Sequence, residues 1–122
     1  VIAEVAAASA DDVEEAVRIA HESFGTWSKS SPYQRASLLT ALAGATRSHL
    51  DELATIVTLE SGKPLKEARA EVNYGAAYFD WFAGEAVRGY GETIPSHTAG
   101  KMLLTVREPI GVCAAITPWN FP

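Results

Sequence analysis

The stretch Gly111–Thr117, GVCAAIT, constrains this chain more than any other. It is apolar on both alternating faces and rich in small and β-branched residues, the pattern of a strand buried on both sides in a parallel α/β sheet. A parallel strand needs a neighbouring strand and a crossover of a dozen or more residues to reach it. Only Pro118–Pro122 follow in a chain of 122 residues. The expectation is an N-terminal fragment of a larger α/β protein, whose other strands would cover this one.

Upstream the hydrophobic period is helical. A first helix is expected over about 10–24, opened by a capping box of Ser9 and Asp12. Val13, Ala16, Val17, Ala20 and Phe24 share its inner face, Glu14 and Arg18 form an i,i+4 pair outside, and Gly25 ends it. A second helix begins at SPYQ, with Ser31 as N-cap, Pro32 at the first position and Gln34 completing another box. Its inner stripe is Leu39, Leu42, Ala43, Thr46 and Leu50. A third starts at Asp51 and runs through Leu53, Ile56, Val57 and Glu60, with Gly62 as a left-handed cap and Pro64 barring continuation. The longest spans about 64–88. Leu65, Ala68, Val72, Gly75, Phe79, Phe82 and Ala86 make its stripe, widened by Tyr78 and Trp81. Such an aromatic belt reads as core packing, or as a ligand wall. Glu67, Arg69, Glu71, Asp80 and Glu85 read as a solvated face rather than an acid–base set.

After Gly89 the period changes to two. Thr93–Ser96 is an extended piece and His97–Gly100 is turn chemistry. In Lys101–Glu108, Met102, Leu104 and Val106 point one way and Lys101, Thr105 and Arg107 the other. This predicts a hairpin with one wet face, broken by Pro109. The chain divides into a helical part (1–90), a hairpin arm (91–109) and a first strand with its loop (110–122).

Composition excludes several classes. The net charge is −5, from 10 basic and 15 acidic residues, which argues against nucleic acid or an anionic membrane surface as partner. A single cysteine, Cys113, excludes an internal disulfide and a cysteine-rich zinc site, and no metal site is expected. No run approaches the ~18 apolar residues of a membrane span. The start, VIAEVAAASADD, lacks both an initiator Met and the features of a signal peptide. These features together point to the cytoplasm.

The closing segment Thr117–Pro122, TPWNFP, leaves the edge where open α/β sheets place ligands, beyond the carboxyl ends of their strands. Prolines on both sides of Trp119 and Asn120 restrict the backbone. Asn120 then either caps a turn or presents an amide with two N–H donors, able to stabilise an oxyanion.

REPIGVCAAITPWNFP, Arg107–Pro122, resembles the start of the cofactor domain in NAD(P)-dependent aldehyde dehydrogenases. LESGKP, Leu59–Pro64, matches a second stretch of that family, and YFDWFAGEAVRGYGETIP, Tyr78–Pro95, is most similar to its succinate-semialdehyde dehydrogenase branch. The resemblance implies an α/β fold of the aldehyde dehydrogenase type: a helical N-terminal part, an oligomerisation hairpin, and the first strand of a Rossmann-like cofactor domain. The implied chemistry is oxidation of an aldehyde, succinate semialdehyde by this match, to the acid with NAD or NADP. A cysteine thiolate adds to the aldehyde, the thiohemiacetal oxyanion is held by a backbone N–H and by the amide of Asn120, hydride leaves to the nicotinamide, and a glutamate activates water to hydrolyse the thioester. Ile116, Thr117, Pro118, Trp119 and Asn120 would line the cofactor, largely through backbone atoms. The hairpin from about Gly91 to Pro109 matches the arm that pairs subunits in a homo-oligomer.

The family's nucleophile and glutamate base lie far downstream of P-W-N, so the fragment is expected to be inactive by itself. The strand that helps choose NAD or NADP and the basic residue for a succinate-type carboxylate are also outside it. Cys113 is expected to be buried in the apolar strand and inert. His21, His49 and His97 carry no motif; His49 would suit a helix C-terminus. Glu60 aligns with an acidic position near a monovalent cation in some relatives. Other readings are an aldehyde dehydrogenase for glutarate semialdehyde or betaine aldehyde, and a free-standing helical interaction module.

Overall fold

The computed structural model describes residues 2–122. Within them four helices precede one short ribbon: α1 (Ala10–Trp27), α2 (Pro32–Ser48), α3 (Leu50–Ser61), α4 (Leu65–Ala86), β1 (Glu92–Ile94) and β2 (Leu103–Thr105).

Both expected capping boxes form. The Ser9 hydroxyl accepts from the Asp12 N–H while the Ser9 N–H donates to the Asp12 carboxylate at 2.8 Å, and Ser31 and Gln34 repeat the exchange. The two bonds from Ser9, backbone then hydroxyl, hold the Asp12 carboxyl below its ordinary range. Gly25 does not end α1. Its φ is not positive, so nothing breaks the helical ladder there, and the helix continues to Trp27, with the Ser28 N–H on the Phe24 carbonyl at 2.9 Å. Arg18 pairs with Glu15 and Glu22 rather than Glu14. Positions i−3 and i+4 flank one guanidinium, whose five donors serve both carboxylates. No residue of α1 is buried, so its expected inner face is uncovered.

α4 is the spine, and α2 and α3 both pack on it. The buried residues are all alanines: Ala43 from α2, Ala54 from α3, and Ala68, Ala76 and Ala83 from α4. Methyl side chains let the helix backbones approach closely, and no large side chain is fully buried. The buried stripe of α4 is thus turned from the expected one. Ala76 and Ala83 face inward where Gly75 and Phe82 were expected, because the alanine edge admits closer packing than the aromatic edge. Trp81 and Phe82 are 67% and 53% exposed, so within this chain the aromatic belt is not core. It stacks on itself instead. Tyr74 and Tyr78 meet edge to face at 5.0 Å with their hydroxyls 2.8 Å apart, and Tyr78 lies parallel to Phe82 at 6.4 Å. Arg47–Asp80 ties α2 to α4, and Asp51–Arg69 at 2.8 Å ties α3 to α4. Two acidic and basic side chains expected on a solvated face are therefore inter-helix partners.

The turn residues behave as their chemistry demands. Gly62 ends α3 at φ 74° with its N–H on the Thr58 carbonyl at 2.9 Å, a left-handed cap that glycine adopts without penalty. His49 occupies the junction of α2 and α3, and its Nδ1 lies 3.0 Å from the Glu52 carboxylate.

The ribbon is antiparallel, with Glu92 opposite Thr105, Thr93 opposite Leu104 and Ile94 opposite Leu103. It is shorter than the alternation suggested, and both of its faces are exposed rather than one. Gly91 is required at its base: a Cβ there would stand 1.9 Å from the Thr105 carbonyl oxygen.

Gly111–Thr117 forms no strand among the described residues. A strand exists through its neighbour's hydrogen bonds, and no neighbour is present among these residues. Cys113 is consequently exposed, not buried as expected; its thiol's polar contact is the Gly111 carbonyl at 3.7 Å. The chain leaves 9987 Å² accessible. A self-contained folded protein of this mass leaves roughly 6,300 Å². Large apolar side chains exposed on α1, the aromatic side of α4, the ribbon and residues 110–121 contribute to that surface.

Candidate functional site

The site begins where α3 stops. Gly62 turns the chain and Pro64 starts α4, so Lys63 projects from a three-residue joint fixed at both ends. Its ammonium donates to the backbone carbonyl of Asn120 at 2.9 Å and to the Glu71 carboxylate, and lies 4.6 Å from the Phe121 ring centroid. The Lys63 and Glu71 side chains are 17% and 15% exposed, the most sheltered ion pair among the described residues.

The loop that Lys63 grips is itself a turn. The Phe121 N–H donates to the Pro118 carbonyl at 3.2 Å, which makes Trp119 and Asn120 its central pair. The loop is thus held by the proline ring, this bond and the lysine, not by the flanking prolines alone. With the Asn120 carbonyl anchored, its side-chain amide makes no hydrogen bond to the protein among the described residues and is exposed. Glu67, Ala70, Glu71 and Tyr74 of α4 and Phe121 border a cleft beside it. The structure therefore brings together the LESGKP and PWNFP segments, 57 positions apart between Lys63 and Asn120.

Ile116 and Trp119 are 97% and 86% exposed, and Thr117 and Pro118 are exposed as well. Apart from the Pro118 carbonyl in the turn, the backbone groups of 116–119 form no hydrogen bonds among the described residues. His21, His97 and Glu60 meet no such grouping, and no cluster of three His, Cys, Asp or Glu among the described residues could hold a metal. No helix among them is long and apolar enough to cross a membrane. Lys63 was missed in the sequence reading, and Glu71 was assigned to solvent. The available signal was that the LESGKP and PWNFP stretches both carry backbone-restricting residues, in Gly62-Lys63-Pro64 and Pro118-Trp119-Asn120.

Comparison with known proteins gives the same two segments a common context. The family model described as "Aldehyde dehydrogenase family" matches residues 1–122. The succinate-semialdehyde dehydrogenase [NADP(+)] of Saccharomyces cerevisiae is 45% identical over 122 residues, covering 100% of this chain and 24% of the yeast protein. The glutarate-semialdehyde dehydrogenase of Pseudomonas aeruginosa is 39% identical over 122 residues, covering 100% of this chain and 25% of that protein. Among solved structures, a betaine aldehyde dehydrogenase of Staphylococcus aureus in complex with NAD+ has a TM-score of 0.91 at 34% identity, covering 97% of this chain and 24% of that one. The chain spans about a quarter of the length of these relatives. NADP and NAD both occur among them, as the expected cofactor pair requires. A family model matched along the whole length, and a fold shared with a solved member over 97% of the chain, lead to one conclusion: the chain belongs to the aldehyde dehydrogenase family.

Proposed function

We propose that residues 1–122 supply the oxyanion corner and one cofactor wall of an enzyme that oxidises succinate semialdehyde to the carboxylic acid with NAD or NADP. The observation that carries this is the pinned backbone and unpaired side-chain amide of Asn120. When a thiolate adds to an aldehyde, the carbonyl oxygen becomes negative. A donor already in place stabilises that charge without reorganising in the transition state. Asn120 presents two N–H groups for this purpose, on a backbone that Lys63 holds in place. Ile116, Thr117 and Trp119 would hold the dinucleotide through their free backbone groups, with Pro118 shaping the wall between them; when bound, the nicotinamide accepts hydride. The nucleophile and general base belong to parts of the enzyme outside these residues, so the segment by itself is inactive.

The choice of succinate semialdehyde rests on the match of Tyr78–Pro95 and on the identity of the yeast relative. Glutarate semialdehyde and betaine aldehyde are the alternative substrates, and a kcat/KM comparison of the three decides between them. The segments 1–90, 91–109 and 110–122 act as helical part, oligomerisation arm and start of the cofactor domain, and the enzyme is a homo-oligomer working in the cytoplasm. The ribbon's two exposed faces support the arm role. The surface left open is far beyond that of a self-contained domain, which speaks against a free-standing helical module.

Asn120→Ala in the whole enzyme tests the reading. The expected result is a fall of about 10²–10³ in kcat. Turnover within a few fold of wild type would remove Asn120 from the oxyanion role.

A further inference from the structure

We infer that Lys63 is a positioning residue for the Asn120 amide. This rests on the oxyanion reading and assigns a role to a residue that touches no reacting atom.

The Asn120 side chain leaves a backbone whose carbonyl is one hydrogen bond from rotation. The turn bond from the Phe121 N–H to the Pro118 carbonyl holds one edge of the planar Asn120–Phe121 peptide, and nothing within the turn holds the opposite, carbonyl edge. Lys63 supplies that second anchor. Its ammonium binds the carbonyl oxygen of this plane at 2.9 Å and lies over the ring of the next residue at 4.6 Å. Glu71 grips the ammonium from α4 in turn, so the lysine cannot swing into solvent. The base of Lys63 is equally fixed, with a left-handed glycine before it and the Pro64 start of α4 after it. A rigid joint, a sheltered ion pair and one peptide plane thus form a single linkage from α3 and α4 to the amide. Every other ion pair in the described residues is largely exposed and joins helices or neighbouring turns. This one alone reaches the loop after residue 117.

A donor displaced by about 1 Å can lose about 10²-fold in rate. In the whole enzyme, Lys63→Met keeps the side chain's length and removes its charge and donors. Its kcat should fall about 10–100-fold, with KM for the aldehyde within about threefold. The decisive measurement is the double variant. Lysine acts only through the Asn120 side chain, so Lys63→Met should change kcat less than about threefold in an Asn120→Ala background. A residue that merely supports the fold would lower kcat by the same factor in both backgrounds. If Lys63→Met does not fold, Glu71→Gln carries the same cycle: it keeps the lysine bond to Asn120 and loosens the lysine's anchor, with a smaller loss again confined to the background containing Asn120. Equal losses in both backgrounds, or none in either, overturn the inference while leaving the oxyanion reading intact. Wild-type turnover by Asn120→Ala overturns both.

Discussion

Replacing Gly91 by alanine should dissolve the ribbon. A Cβ at this position would lie 1.9 Å from the Thr105 carbonyl oxygen, 2.9 Å from the Thr105 carbonyl carbon and 3.3 Å from the Val106 Cα. All three are backbone atoms, so no side-chain rotation relieves the overlap. Contact at a tolerable separation requires the strands to part by more than an ångström at the point where they first meet. That movement breaks the bond from the Glu92 N–H to the Thr105 hydroxyl at 3.0 Å and strains the one from Arg107 Nε to the Tyr90 carbonyl at 3.0 Å. Overpacking of this kind destabilises by about 1–3 kcal/mol, which moves the hairpin's formation constant by about 5–150-fold. A three-residue ribbon exposed on both faces has no core to absorb the loss, since two strands alone are marginal in water. Amide hydrogen exchange on the intact protein reads this directly: Glu92–Ile94 and Leu103–Thr105 should lose protection while α2–α4 keep theirs. Sedimentation of the same variant should show a shift toward smaller species if this arm pairs subunits. Gly89→Ala is the control, because nothing lies within 4 Å of a Cβ there. Unchanged protection in Gly91→Ala would refute the steric argument, and lost protection with an unchanged oligomer would refute the arm.

Gly62→Ala forces a side chain into φ 74° with open space around it, so the loss should be backbone strain alone, about 1–2 kcal/mol, read as a lowered Tm, with Gly62→Asn closer to wild type. The Asp12 carboxyl is lowered by its bonds from Ser9, so its contribution to the α1 cap is present above the ordinary carboxyl range, near pH 4, and is lost as pH falls through the lower folded value. Helix content followed by circular dichroism from pH 5 to 2 should show that loss, and Asp12→Asn should flatten it.

The capping boxes at Ser9 and Ser31 and the stop at Gly62 were legible because each is a short local rule with its partner three or four residues away. The aromatic belt was not. Periodicity finds an apolar stripe but not which edge of it packs, and α4 has two: one of methyl groups at Ala68, Ala76 and Ala83, another of rings from Tyr74 to Phe82. Only the neighbouring helices decide between them, and here α2 and α3, whose own buried residues are Ala43 and Ala54, pack on α4. Gly111–Thr117 failed in a different way. Its residues have the pattern of a strand, but a ladder needs a second chain segment. The candidate site was half readable: Asn120 stood out for its place in a proline-flanked loop, whereas Lys63 depended on a contact 57 positions away that no local pattern encodes.

The alanines buried on α2, α3 and α4 carry one more consequence. Teeth of equal size mesh equally well after one helix slides along another, so the buried methyl groups themselves do little to fix axial position. Something else must set the phase. Arg47–Asp80 and Asp51–Arg69 do so at two heights of α4, eleven residues or roughly 16 Å apart at helical rise. Half-exposed pairs of this kind add little to the depth of the energy well. What they do is make one well deeper than its translated copies, which locks the spine in place and, with it, the height at which α4 delivers Glu71.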